Sequence, residues 1–183
     1  MLQTFRTIFI RAGALAVLAA FVLQGGKVAI ADDHENASAF AVVVSEGRVI
    51  PVGDDGMRIM GTVLGPFFVD AGYGPTDAGD LSCLANMAGN YSSGAISGEG
   101  SCVIVSGGSR LFGDWTCQGM LFVGCKGEFV ITGGDGGFGG ATGGGLMVSR
   151  TSDASAAVIA DRAAGITQGR GIIFWDAFDV VLP

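Results

Sequence analysis

The side chains able to do covalent or acid–base chemistry are few. Four cysteines, Cys83, Cys102, Cys117 and Cys125, are the thiols on offer, and a single histidine, His34, is the one imidazole. His34 is distant in sequence from every cysteine, so neither a Cys-His pair nor a Ser-His-Asp triad has a credible base. If the cysteines are oxidised, no thiolate nucleophile remains. A zinc site would want paired C-x-x-C spacing, which is missing, and no metal is expected. General acid–base work then falls to carboxylates set among apolar residues. Four qualify: Glu46 after the run 40–44, Asp114 between Phe112 and Trp115, Asp176 in line with Phe174 and Phe178, and Asp179 in line with Trp175. A carboxyl desolvated in a pocket can hold its proton to higher pH and act as an acid or base. Glu46 and Asp176 are the candidates for such a role, while strand ends and turns explain acids of this kind equally simply. Trp115, Phe129, Phe174 and Trp175 are the candidate lining of a small-molecule cavity, or else plain core.

A glycine-rich stretch over residues 133–145 holds a formal G-x-G-x-x-G at Gly134, Gly136 and Gly139. A dinucleotide site needs those glycines between a strand and a helix. Here Leu146-Met147-Val148-Ser149 follows, which reads as strand. The lysine of a phosphate-binding loop is missing, and a calcium-binding nonapeptide would need an aspartate where Phe138 stands and a second repeat. No nucleotide, calcium or other cofactor is expected. The glycines read instead as a strand-to-strand corner closed by Phe138.

The elements that must position these residues are nearly all strands. Apolar or alternating runs at 39–44, 58–68, 81–87, 95–106, 111–118, 126–132, 146–150 and 171–181 are separated by Gly, Ser, Asn and Asp punctuation. Residues 126–132 alternate cleanly, with Gly127, Phe129 and Ile131 on one face and Lys126, Glu128, Val130 and Thr132 on the other. The alanine-rich stretch 152–165 is expected to form a helical turn. Seven to nine short strands joined by tight turns mean a sandwich or a closed barrel. Closure leaves no strand edge exposed in so hydrophobic a chain.

The cysteine spacing bears on the hairpins. Cys83 and Cys102 are symmetric about Ser92-Ser93, and Cys102 and Cys117 about Ser109-Arg110. Successive hairpins would set these three cysteines side by side on neighbouring strands. A disulfide needs Cα atoms within about 7 Å, and adjacent strands lie about 4.8 Å apart. Pairing Cys102 with Cys117 would strand Cys83 and Cys125 about three spacings apart. The expected bonds are therefore Cys83–Cys102 and Cys117–Cys125.

Composition fixes the compartment and excludes several partners. Arg6 and Arg11, the apolar run 12–23, and Ala29-Ile30-Ala31 before Asp32-Asp33 read as an export signal cut after Ala31. Residues 1–31 are thus expected to be a signal peptide, and 32–183 the folded domain, periplasmic or extracellular, where disulfides persist. Three of the ten basic residues and none of the seventeen acids fall within 1–31, which leaves seven against seventeen, a charge of −10. Such a surface repels nucleic acid. No stable membrane span is expected after signal removal, because the strands read as five to eight residues against the nine to eleven a membrane barrel needs.

Residues 131–143, Ile-Thr-Gly-Gly-Asp-Gly-Gly-Phe-Gly-Gly-Ala-Thr-Gly, resemble the corner signature of the allene oxide cyclase-like and dirigent-like β-barrel superfamily, closest to small exported bacterial proteins of unknown function. Gly100-Ser101-Cys102, Gly113-Asp114-Trp115-Thr116-Cys117, Gly124-Cys125-Lys126-Gly127 and the closing Phe174-Trp175-Asp176-Ala177-Phe178 extend the resemblance over roughly residues 81–183. Asp135 stands where the signature has threonine. The resemblance implies an all-β fold, a single closed antiparallel barrel of about eight strands of calycin type, with an apolar cavity. It implies no one activity, and leaves open whether the barrel is a monomer or a trimer. Three functions follow as expectations: a carrier of a small apolar ligand, an isomerase or cyclase using Glu46 or Asp176, and a structural or surface-associated module with a filled core.

Overall fold

The computed structural model describes residues 37–151 and 165–183. The leader, its cleavage site and the expected helical turn at 152–165, apart from Gly165, lie outside the described residues. Among the described residues nine strands follow one another: β1 (Ser38–Val52), β2 (Gly56–Asp70), β3 (Thr76–Asn90), β4 (Ala95–Ser106), β5 (Ser109–Met120), β6 (Gly124–Asp135), β7 (Thr142–Thr151), β8 (Ile166–Trp175) and β9 (Asp179–Val181). All pairings are antiparallel. Each strand from β1 to β8 pairs with its sequence neighbours, and β1 also pairs with β8, so the sheet closes in a ring. β9 adds to β7 at Thr142–Gly144, beyond the reach of β8. Every ring strand thereby has both edges paired, which removes the template for aggregation that an open edge offers.

The eight ring strands run 10 to 15 residues. That corrects the expected five to eight, and strand length therefore gives no ground against a membrane span. The shorter expectation came from ending the runs at 44, 87, 118, 132 and 150, short of the strand ends. Gly47, Gly61, Gly98 and Gly127 lie within strands and keep their register, whereas a register shift falls between Phe112 and Gly113 on the β6 side. The run 171–181 is in turn broken at Asp176-Ala177 into β8 and β9.

The turns follow from their residues. Gly107 and Gly108 form the two-residue β4–β5 connection with φ of 56° and 83°. Positive φ at both positions is the turn whose twist matches antiparallel strands. This turn sets Cys102 opposite Gly113 and Cys117 opposite Gly98. The expected Cys102–Cys117 symmetry about Ser109-Arg110 is therefore out of register, because the glycine pair and not Ser109-Arg110 turns the chain. At the β2–β3 connection Asp70 Oδ1 accepts from the backbone N–H groups of Gly72 and Gly74, at 2.8 and 3.0 Å. The glycine-rich stretch is a corner, as its composition implies. β6 ends at Asp135, a single 3-10 turn spans Gly136–Phe138, half-buried Phe138 packs on the core, and β7 begins at Thr142.

Alternation sorts the side chains. Ala39, Ala41 and Val43 of β1, Phe67 of β2, Leu81 of β3, Ile104 of β4, Leu111 and Trp115 of β5, Phe129 and Ile131 of β6, Met147 of β7 and Trp175 of β8 are buried inside the ring. Both disulfides form as expected, Cys83–Cys102 and Cys117–Cys125, and all four cysteines are buried. They indicate an oxidising, extracellular or periplasmic environment. No helix among the described residues is long and apolar enough to cross a membrane.

Candidate functional site

One end of the ring is filled. Phe67, Phe129, Trp175 and Phe178 pack as a cluster with ring centroids 5.5 to 5.9 Å apart, mostly edge to face. That is the preferred geometry for aromatic quadrupoles, and each buried ring contributes roughly 1.5–3 kcal/mol by area. Room for Phe129 comes from Gly113 on the neighbouring strand, where a Cβ would lie 2.2 Å from the ring. Trp115 lies against β4 in the same way, over Gly98 and Gly100.

The other end is hollow. A cavity of about 190 Å³ runs from Trp175 and Trp115 past both disulfides toward the β5–β6 hairpin. Val43, Ile59, Val63, Met87, Ile96 and Ile173 line it with hydrocarbon, and Ser45, Ser149 and Thr167 add hydroxyls. Thr167 is the one buried polar side chain among the described residues. Glu46, Arg150 and Arg170 also border it, and hydrocarbon predominates; apolar cavities of roughly 150 Å³ take benzene. At its margin Leu121 and Phe122 come from the hairpin tip. Phe122 holds φ at 64°, the one non-glycine with positive φ among the described residues. Bulky side chains rarely adopt that conformation, and such strain gathers at working sites.

The expected site residues divide. Trp115 and Trp175 border the cavity. Phe129 is buried in the aromatic cluster and acts as core. Phe174 lies on the outer face, paired in register with Phe40 of β1 and Val148 of β7, so it does not line the cavity. Trp175 is next in sequence, and adjacent strand residues point to opposite faces. Glu46 does share its face with Val42 and Val44, but that face is the outer one, where both valines are 53% exposed. Glu46 touches the cavity only at its edge, and its side chain is exposed. Asp176 and Asp179 are exposed beyond β8, and Asp114 is exposed on the outer face, accepting from Ser101 Oγ at 2.7 Å. No described carboxylate is buried, and no group of three potential metal ligands occurs among the described residues.

The corner carries an ion pair between Arg110 and Asp135. Asp135 bridges Arg110, taking a hydrogen bond from its backbone N–H at 2.9 Å and from its Nε at 2.8 Å. These donors hold the Asp135 carboxyl below its usual range. Gly137 N–H donates to Ser109 Oγ at 2.9 Å beside them. Both partners are well exposed, so the pair pins the corner and creates no reactive group. A larger concavity, about 460 Å³, lies on the outer face over β2 to β6. Arg58, Glu99, Lys126 and Glu128 line it among short polar residues. Its charges are exposed to water and it encloses no apolar volume, so the smaller interior cavity is the better site despite its size.

The hairpin tip and the hydroxyls escaped the sequence reading. Leu121, Phe122, Ser149 and Thr167 carry no motif. Counting by twos back from Trp175 along β8 would have put Thr167 and Gly169 on the inner face. Comparison with known proteins finds no matching family model, no matching curated protein and no matching solved structure.

Proposed function

We propose that the chain is an exported, soluble β-barrel protein of the allene oxide cyclase-like type, and that its interior holds a small apolar ligand. The observation that carries this reading is the cavity of about 190 Å³ lined by hydrocarbon inside the closed ring. The corner signature, the paired cysteines and the strand count support the barrel assignment. The leader read at 1–31 supports export. The polarity of the wall supports a water-facing exterior on one flank: Asn86, Glu99, Asp114, Thr116, Lys126 and Glu128 are exposed across β3 to β6, while the interior is aromatic and aliphatic. A lipid-embedded barrel needs the reverse.

Of the two other readings, the isomerase has no interior carboxylate among the described residues to move a proton. The filled-core module is favoured by the aromatic cluster alone, which occupies one end and leaves the other open. Calorimetric titration with α-methylstyrene separates carrier from module. The carrier reading expects saturable one-to-one binding that is abolished by Ala85→Phe, which fills the cavity from β3. Absence of binding to the wild-type chain supports the filled-core module.

A further inference from the structure

The tip of the β5–β6 hairpin differs in kind from the turns beside it. Strand alternation brings the β1–β2, β3–β4 and β5–β6 turns to the hollow end of the ring. There Tyr91 N–H donates to the Asp55 carbonyl and Leu121 N–H to the Gly94 carbonyl, each at 2.8 Å. The first two turns carry Asp54, Asp55, Ser92 and Ser93, as water-facing turns ordinarily do. The third is Leu121-Phe122-Val123, entered from Met120. Met120, Phe122 and Val123 are 49%, 52% and 55% exposed. Phe122 holds a positive φ that glycine or asparagine adopts more readily, so a large apolar side chain stands outside on a backbone that disfavours it. Ile50 and Val52 of β1 and Ile166 of β8 add half-exposed apolar side chains at the same end. Apolar surface gathered in this way marks a contact with another molecule or phase.

We propose that the hollow end of the ring docks reversibly on a phospholipid bilayer. Met120, Phe122 and Val123 enter the interfacial layer, and Arg150 and Arg170 meet lipid phosphates. Arg150 pairs in register with Gly124, one residue past the tip, and both arginines border the cavity with exposed side chains. A guanidinium takes a phosphate through paired hydrogen bonds, while its aliphatic stem lies against apolar surface. Around the cavity these two arginines stand against one acid, Glu46. Asp54 and Asp55 share the same end, so the apolar tip carries the attachment and charge assists it. A second copy docked tip to tip would bring the arginines of both chains together, which favours lipid as the occupant. Leu121 and Phe122 also border the cavity. Docking therefore turns its mouth toward hydrocarbon, the phase in which an apolar ligand dissolves. The docking itself does not depend on the interior being a ligand site.

Flotation of the oxidised mature chain with vesicles of equimolar phosphatidylcholine and phosphatidylglycerol tests this, with no cavity ligand added. The wild type is expected to float with them, and less with phosphatidylcholine alone. Phe122→Asn combined with Val123→Ser is expected to lower the partition about tenfold, as loss of inserted apolar area does. Both side chains are exposed and asparagine suits the φ of 64°, so the fold stands. Arg150→Gln combined with Arg170→Gln is expected to lower the partition about five- to tenfold on the anionic vesicles and to narrow the difference between the two lipid mixtures. Phe122→Trp puts a reporter at the tip. Relative to the wild type its added emission is expected to shift to the blue on vesicles and to be quenched by brominated phosphatidylcholine. Thr116→Trp, on the exposed polar flank of β5, is expected to show neither effect. Ala85→Phe is expected to float as the wild type does, so the docking and the ligand reading fail separately. A wild type that does not float, or flotation unchanged by the tip variant, overturns the proposal. Self-association that needs the tip, without flotation, assigns the patch to a second copy and overturns it as well.

Discussion

Cys83 and Cys102 stand directly opposite one another on β3 and β4, Cα to Cα 4.0 Å, and their bond forms part of the cavity wall. Cys117 and Cys125 are instead offset across the β5–β6 hairpin, at 5.6 Å. The two bonds close loops with sequence separations of 19 and 8. Chain entropy then assigns about 3 kcal/mol to the first and about 2.5 kcal/mol to the second. Replacing Cys83 and Cys102 together by alanine is expected to lower urea-unfolding stability by about 3 kcal/mol. It also removes sulfur from the wall, so α-methylstyrene affinity should change. The Cys117/Cys125 double variant should lose somewhat less stability. A larger loss from the shorter loop would mean that native packing, and not loop closure, dominates.

Gly113 and Phe129 form an interlocked pair. A methyl group at 113 would overlap the ring, and neither strand can retreat within a closed sheet. Gly113→Ala is expected to destabilise by roughly 1–3 kcal/mol, as overpacking does. Adding Phe129→Leu should recover part of that loss. Thermal unfolding of the two single variants and the double variant measures the coupling, and strict additivity would contradict the contact.

Phe122 holds a left-handed backbone at the cavity margin while its side chain is 52% exposed. Glycine there relieves about 1 kcal/mol of backbone strain and loses little packing. Phe122→Gly should therefore stabilise the fold and weaken ligand binding at once. A variant that binds as the wild type does would detach the hairpin tip from the site.

Asp135 sets a pH dependence of known sign. Its folded carboxyl titrates below the unfolded range because Arg110 donates to the charged form. The resulting stability is fully present above the unfolded aspartate value, about 3.9, and is lost as pH falls through the lower folded value. Asp135→Asn is expected to unfold at a slightly lower temperature than the wild type above pH 4. The difference should vanish in stronger acid. The effect is small because both partners are exposed. A gap that widens on acidification would contradict the assignment.

What was legible in the sequence was local. Alternation over 126–132 placed Phe129 and Ile131 inside, and short-range geometry paired the cysteines correctly even with one hairpin centre misplaced. The face of β1 was not legible. Ala39, Ala41 and Val43 are no more apolar than Phe40, Val42 and Val44, so periodicity gives two faces without saying which is inner. Only ring closure decides, and it puts Glu46 outside. The same one-residue parity separates Phe174 from Trp175. Cavity size was equally beyond reach, because it depends on how Gly98, Gly100 and Gly113 let the aromatic rings lie back against the wall.

The central claim is that the hollow end of the ring holds a ligand. Native mass spectrometry of the chain purified from an oxidising compartment tests it most directly. The account predicts a particle lighter by residues 1–31 and four hydrogens, carrying an extra small mass that organic solvent releases and that Ala85→Phe lacks. A bare polypeptide mass that stays bare after incubation with acetophenone and with α-methylstyrene would contradict it.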